Sequence, residues 1–366
     1  MTSHRVVSLL LAGGLAAGLL GCSSDDTTEE PGPTHGLDPG WNKLEGGADT
    51  MCSRGDPFSF YVHPGTVNRV VIEFEGGGAC WDASTCAVGS DSFEDVIAED
   101  TLTGTLEGIV DHEHPDNPFK DWWHVYVPYC TGDLHMGDKT TLHESQGQDS
   151  VTIEHRGSVN AGVAVDWVYE NLPDPERILV TGCSAGGYGS LAWAPYVMDH
   201  YDGVPVVQAA DCAAGIAVPG FMAVVDFVWG LSIIQPSFIP ALSGASFLTL
   251  TVTEVYVEQA AAFPDQQFAQ YNTQFDRTQI SFYEDMGGNG DDWSGMMNDG
   301  VSTITGGASN FASYVASDYM HCIITKPEFY TTETGGVAVR DWFDDLANGT
   351  AVDNVHCEPD CGSPEP

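Results

Sequence analysis

Positive charge is what this chain has least of. Its 366 residues hold 11 lysines and arginines, only four of them lysines, against 53 aspartates and glutamates, for a formal charge of −42. No basic patch can be assembled to neutralise phosphates, so nucleic acid is excluded as a partner. Adsorption to bare anionic surfaces is disfavoured for the same reason. The acidity reads as a solvated shell that keeps the protein soluble. Long apolar runs are scarce as well, because the single one lies at the N-terminus. Internal repeats are absent. No cysteine or histidine spacing makes a zinc site. Carboxylates are hard oxygen ligands, but no EF-hand spacing is present, so no metal is expected.

The N-terminal run has the form of an export signal: His4 and Arg5, apolar residues from Val6 to Leu20, then Leu19-Leu-Gly-Cys22. It is short for a membrane span. The tetrad looks like a bacterial lipobox, which implies a signal peptide over residues 1–21 and a lipid on Cys22, with an ordinary signal peptide as the alternative. Residues 22–40 are acidic and rich in proline and glycine. They read as a flexible tether, the chain's one link to a membrane. The expected location is outside the cell, anchored to the bacterial outer membrane or cell surface. Residues 41–366 then form one catalytic domain, expected to be a monomer.

Nine cysteines remain beyond Cys22, which in an exported protein suggests several disulfides. Close spacing favours Cys80–Cys86 and Cys357–Cys361. Cys183 and Cys212 each end a predicted strand, and neighbouring strands could bring them together. Cys52, Cys130 and Cys322 are then left over.

The chemistry concentrates at Ile178 to Gly189, an apolar strand, a sharp turn and a helix start. Gly182-Cys-Ser-Ala-Gly186 within it is a G-x-S-x-G nucleophile elbow centred on Ser184. Strands are also predicted at Val70–Phe74, 122–127, 204–210 and 268–275, and helices at 151–172, after the elbow, and at 337–346. Alternating strands and helices predict an α/β fold, doubly wound around a mostly parallel sheet. Residues 216–262 are apolar and interrupted by prolines, and predict helical cap-like insertions. Gly287 to Gly300 reads as a loop, with Trp293 on it as a candidate sugar-stacking surface.

Acyl transfer needs a nucleophile, a base, an acid that orients the base, and donors for the oxyanion. Ser184, Asp276 and His321 satisfy the chain order serine, acid, histidine. Only His200, His321 and His356 follow the elbow. His200 is too close to it, and His356 lies in an acidic tail. Asp211 also ends a strand and is the weaker candidate for the acid. The oxyanion donors are expected from Gly77, Gly78 and Ala185. Asp133, His135 and Asp138 lie close enough in sequence to suggest a metal site. They read better as a loop shaping the pocket, because no further ligand completes a cage.

Phe74-Glu-Gly-Gly-Gly-Ala-Cys80, Tyr129-Cys-Thr-Gly-Asp133, Gly182-Cys-Ser-Ala-Gly-Gly187, Tyr271-Asn-Thr-Gln-Phe-Asp276, and His321 with Pro327-Glu-Phe-Tyr330 resemble the pectin acetylesterase/Notum family. The resemblance runs from about Trp41 to Cys361. It implies an α/β-hydrolase fold, the Ser184–Asp276–His321 triad and hydrolysis of an ester with no cofactor. The expected substrate is an acetylated or short-acyl polysaccharide or related ester. A protein or lipid deacylase, or a binding lipoprotein without catalysis, are the alternatives. Relatives with a tryptophan in the glycine loop contrast with Gly78 and Ala79 here, which predicts a more open pocket edge.

Overall fold

The computed structural model describes residues 36–144, 150–358 and 361–362. The expected signal peptide, the lipidated Cys22 and most of the tether lie outside the described residues. In chain order the strands are β1 (Asn42–Glu45), β2 (Ser59–His63), β3 (Arg69–Phe74), β4 (Trp123–Val127), β5 (Lys139–His143), β6 (Val151–His155), β7 (Arg177–Cys183), β8 (Val206–Asp211), β9 (Gln267–Thr273), β10 (Phe311–Ala316), β11 (Glu333–Thr334), β12 (Val337–Ala338) and β13 (Val355–His356). The helices are α1 (Gly157–Asn171), α2 (Ala185–His200), α3 (Phe221–Trp229), α4 (Val252–Ala262), α5 (Arg277–Asp285), α6 (Gly290–Gly307) and α7 (Val339–Ala347).

Nine strands form one sheet in the order β1-β2-β4-β3-β7-β8-β9-β10-β13. β1–β2 and β2–β4 are antiparallel, and every later pairing is parallel. β3, β7 and β8 read as near-continuous apolar runs because helices cover both faces. Alternate residues face opposite ways along each strand. Val70, Ile72, Phe74 and Val180 join one core, and Val71, Leu179 and Val207 join the other with Trp342 and Phe343 of α7. The chain is therefore an α/β protein with a mostly parallel, doubly wound sheet, as its alternation predicts.

Two stretches differ from expectation. Residues 151–172 hold β6 and then α1, so the apolar period of the helix begins only after a short strand. Residues 287–300, expected as a loop, belong largely to the helix α6. Glycines and aspartates cost helix propensity, yet Trp293, Met297, Val301 and Ile304 recur on one buried face, and tertiary packing wins. Trp293 is consequently core, 1% exposed, and offers no sugar-stacking surface. The apolar 216–262 segment does form a cap, built of α3, α4 and irregular turns.

The disulfides are Cys52–Cys130, Cys80–Cys86, Cys183–Cys322 and Cys357–Cys361. The two short-range pairs agree with their spacing. Cys183 does not bond Cys212, which remains a buried free thiol. Cys183 instead reaches Cys322, a tertiary contact across a sequence separation of 139.

Candidate active site

β7 lies in the middle of the sheet, and at its carboxyl end the chain reverses into α2 at Ser184. Ser184 sits at φ 55° and ψ −118°, a region that side chains rarely occupy. Its N–H donates to the Asp211 carbonyl at 2.8 Å, which pins the turn to the end of β8. The flanking glycines are required by contact. A Cβ on Gly182 would collide with the Gly186 carbonyl, and one on Gly186 with the Phe74 carbonyl. The elbow therefore needs glycine on both sides for α2 to approach β3 and β7 closely.

Asp276 follows β9 and caps α5, accepting the Gln279 N–H on Oδ1 at 2.9 Å. Its carboxylate is fully buried and lies 2.8 Å (Oδ2) and 3.0 Å (Oδ1) from His321 Nδ1. His321 Nε2 is buried with no hydrogen-bond partner, and both His321 and Ser184 line the same pocket. This is the arrangement of an oriented imidazole whose second nitrogen is available to a hydroxyl.

Asp211 lies 2.7 and 2.9 Å (Oδ2) from the Ile323 and Ile324 N–H groups, which donate to it. It thus braces the loop that carries His321, a structural duty distinct from orienting the imidazole. Burial raises its pKa to about 6. The Cys183–Cys322 disulfide joins the residue before Ser184 to the residue after His321, so the nucleophile turn and the base loop are covalently tied.

On the opposite side stands the loop after β3. Gly78 and Ala185 line the pocket beside Ser184, whereas Gly77 is not among the lining residues. Gly77 (φ 150°) and Gly78 (φ 74°) hold backbone conformations that favour glycine. The loop is braced from beneath: Tyr129 Oη donates to the Gly78 carbonyl at 2.9 Å, and the Glu75 carboxylate accepts from Tyr129 N–H at 2.8 Å. Burial lifts Glu75 to about 7. The first N–H groups of α2 add their positive end to the same spot.

Asp133, His135 and Asp138 do not converge on a common point. Asp133 is buried, accepts from Thr131 Oγ1 at 2.6 Å and from Gly157 N–H at 2.8 Å, and is raised by burial to about 7. His135 Nε2 pairs with the Glu75 carbonyl at 2.8 Å, and Asp138 pairs with Arg156. They form a loop that shapes the pocket, to which it contributes Leu134 and Met136. Among the described residues, each candidate metal cluster includes a cysteine already held in a disulfide.

Behind Ser184 the pocket opens into a chamber walled by Trp81, Phe221, Val225, Trp229, Phe282 and Trp293. Its cavity volume is about 100 Å³, and its walls are almost wholly apolar. Trp81, two residues beyond Ala79, supplies an aromatic wall of the pocket and packs edge-on against Phe221. The inner face of α3 lines the pocket, in keeping with the cap read over 216–262, whereas sequence reasoning missed Trp81 and Gln279. The last carried a signal: Asp276 and Gln279 stand three apart, the spacing of a capping box.

Sheet order and elbow together define an α/β-hydrolase-type fold. Residues 43–218 match the family model described as Pectinacetylesterase. Pectin acetylesterase 5 of Arabidopsis thaliana is 25% identical over 176 residues, which cover 45% of this chain and 38% of that protein. The palmitoleoyl-protein carboxylesterase NOTUM of Schmidtea mediterranea is 28% identical over 157 residues, 41% of this chain and 28% of its own length. The matched segments thus span about a third of those curated relatives. The crystal structure of the Wnt deacylase Notum from Drosophila superposes over 89% of this chain and 99% of that one, with a TM-score of 0.64 and 13% identity, a likeness of fold. These matches support the resemblance of the chain to the pectin acetylesterase/Notum family.

Proposed function

We propose that this chain is a serine carboxylesterase whose acyl site accepts chains longer than acetyl. The observation that carries the reading is the apolar lining of the chamber behind Ser184, walled by Trp81, Phe221, Val225, Trp229 and Phe282. In the reaction, His321 Nε2 takes the Ser184 hydroxyl proton as Oγ attacks the ester carbonyl. Asp276 holds the imidazole and stabilises its charged form. The oxyanion is received by N–H groups of Ala185 and the Gly77–Gly78 loop. The alcohol departs with the proton from His321, and water, activated by the same base, hydrolyses the acyl-enzyme.

The decisive measurement is hydrolysis of p-nitrophenyl esters from C2 to C16 by wild type and Ser184→Ala. Activity peaking at C8 or longer, and lower by roughly 10³-fold or more in the variant, is expected. Equal activity in the two proteins removes Ser184 from the mechanism. A peak at C2 favours the second reading, an acetylesterase acting on a polysaccharide. The family match and the names of the Arabidopsis relatives support that one. A fold kept only for binding would leave Ser184 unlabelled by a fluorophosphonate.

Four disulfides accord with an exported protein. Attachment through Cys22 rests on the Leu19-Leu-Gly-Cys22 tetrad alone, and mass spectrometry of the mature N-terminus tests it.

A further inference from the structure

Gln279 occupies a position between the two parts of the site. Its main-chain N–H donates to Asp276 Oδ1 and its side-chain Nε2 to Asp276 Oδ2, both at 2.9 Å. Its Oε1 accepts the Ala214 N–H at 2.9 Å. Ala214 belongs to the segment after β8, whose next residues Gly215, Ile216 and Ala217 line the chamber. Gly215 N–H in turn donates to Tyr188 Oη at 3.1 Å, and Tyr188 lines the chamber too. Gln279 itself lines the pocket and is 8% exposed. One side chain therefore touches both the acid that orients His321 and the wall that an acyl chain presses against.

We infer that Gln279 is a positioning residue that fixes the Asp276–His321 pair and couples its alignment to occupancy of the chamber. The inference rests on the esterase reading above. An acyl chain that fills the chamber packs against the 214–217 wall. Through the Ala214–Gln279 hydrogen bond it steadies the carboxylate on which the imidazole turns. Binding energy from the remote end of the substrate is then expressed in the chemical step, so chain length governs kcat and not KM alone. A carboxylate held by two amide donors is also a fixed acceptor for the imidazole.

The test compares Gln279→Leu and Gln279→Glu with wild type over the same C2–C16 ester series, with full pH profiles. Gln279→Leu deletes the side-chain contacts at similar volume. Its kcat for C8 and longer esters is expected to fall by about tenfold or more with KM little changed, while kcat for the C2 ester moves less. Gln279→Glu keeps an oxygen for Ala214 but sets a second carboxylate against Asp276. It favours the imidazolium, so the acid limb of kcat/KM moves to higher pH by about one unit. Wild-type chain-length dependence of kcat together with an unmoved acid limb would overturn the proposal. So would losses confined to melting temperature. If Gln279→Leu does not fold, Gln279→Glu decides through the acid limb. Failure of a fluorophosphonate to label wild-type Ser184 would sink the esterase reading itself. A labelled Ser184 with indifferent Gln279 variants sinks only the coupling.

Discussion

The corner that holds Ser184, Asp276 and His321 and the chamber behind it are built by opposite means. The corner is made of backbone: a serine at φ 55°, glycines where any Cβ would collide, a carboxylate at a helix start, and a disulfide across the two loops. The chamber is made of side chains from scattered stretches, among them Trp81, Val225, Phe282 and Trp293. Backbone requirements restrict residue type at fixed spacing, so the reaction class is written locally. Apolar walls accept many side chains of similar volume, so the acyl preference is set by packing that only the folded chain assembles. Damage to the corner should abolish turnover for every substrate, and damage to the chamber should re-rank substrates.

The largest effect belongs to the corner. Asp276→Asn keeps the shape of the side chain but loses the charge that stabilises the imidazolium and selects its tautomer. A loss of roughly 10³- to 10⁴-fold in kcat is expected, alike for C2 and C12 esters. KM should change little. Steady-state kinetics on both esters check this, and a loss seen for one chain length only would break the division between corner and chamber.

A smaller, selective effect belongs to the chamber. Val225 is buried on the inner face of α3 and lines the pocket. Val225→Trp should shorten the chamber and lower kcat/KM for C12 esters by roughly 10- to 200-fold. The C2 ester should keep its rate within about twofold. A uniform loss across the series would mean that α3 supports the corner as well.

The same division explains what was legible beforehand. The elbow, the glycine loop, the acid after β9 and the histidine after β10 were readable because each is tied to a strand end. The family model, too, matches residues 43–218, which contain the glycine loop and the elbow. The site's later half was harder. α6 reads as a loop because its glycines and aspartates mask a buried face of Trp293, Met297, Val301 and Ile304. Pairing Cys183 with Cys212 failed because adjacency of strands does not decide which sulfurs meet. The loop after β10 brings Cys322 to Cys183, and Asp211, read only as a spare acid, holds that loop. Gln279 stands at a capping spacing from Asp276, but that spacing says nothing of its side-chain contacts to Asp276 Oδ2 and Ala214, which only the folded chain shows.

The smallest effect concerns pH, and it sharpens the comparison because several buried acids lie in the fold that carries the corner, Asp211 against the His321 loop and Glu75 beneath the glycine loop. Burial raises Glu75 and Asp133 to about 7, Asp211 to about 6, and Glu73, 2.8 Å from His124 Nε2, to about 8. Each keeps its proton in the folded state at pH values where the unfolded chain, with carboxyls near 4, has lost it. The folded state then binds more protons, and stability falls as pH rises from about 4 to each folded value. Burial acts oppositely on histidine, lowering His112 and His155 to about 3 and His135 to about 4. Unfolded histidines gain protons below about 6.5, so this contribution is lost as pH falls. Between about pH 4.5 and 6.5 the two trends oppose each other. Above that only the acids still titrate, and melting temperature should decline from pH 6.5 to 8 by a few degrees. Glu73→Gln should flatten that decline, while Val225→Trp should leave its slope intact. Melting curves at constant ionic strength measure both, and a decline flattened as much by Val225→Trp as by Glu73→Gln would show that the slope does not come from the buried acids.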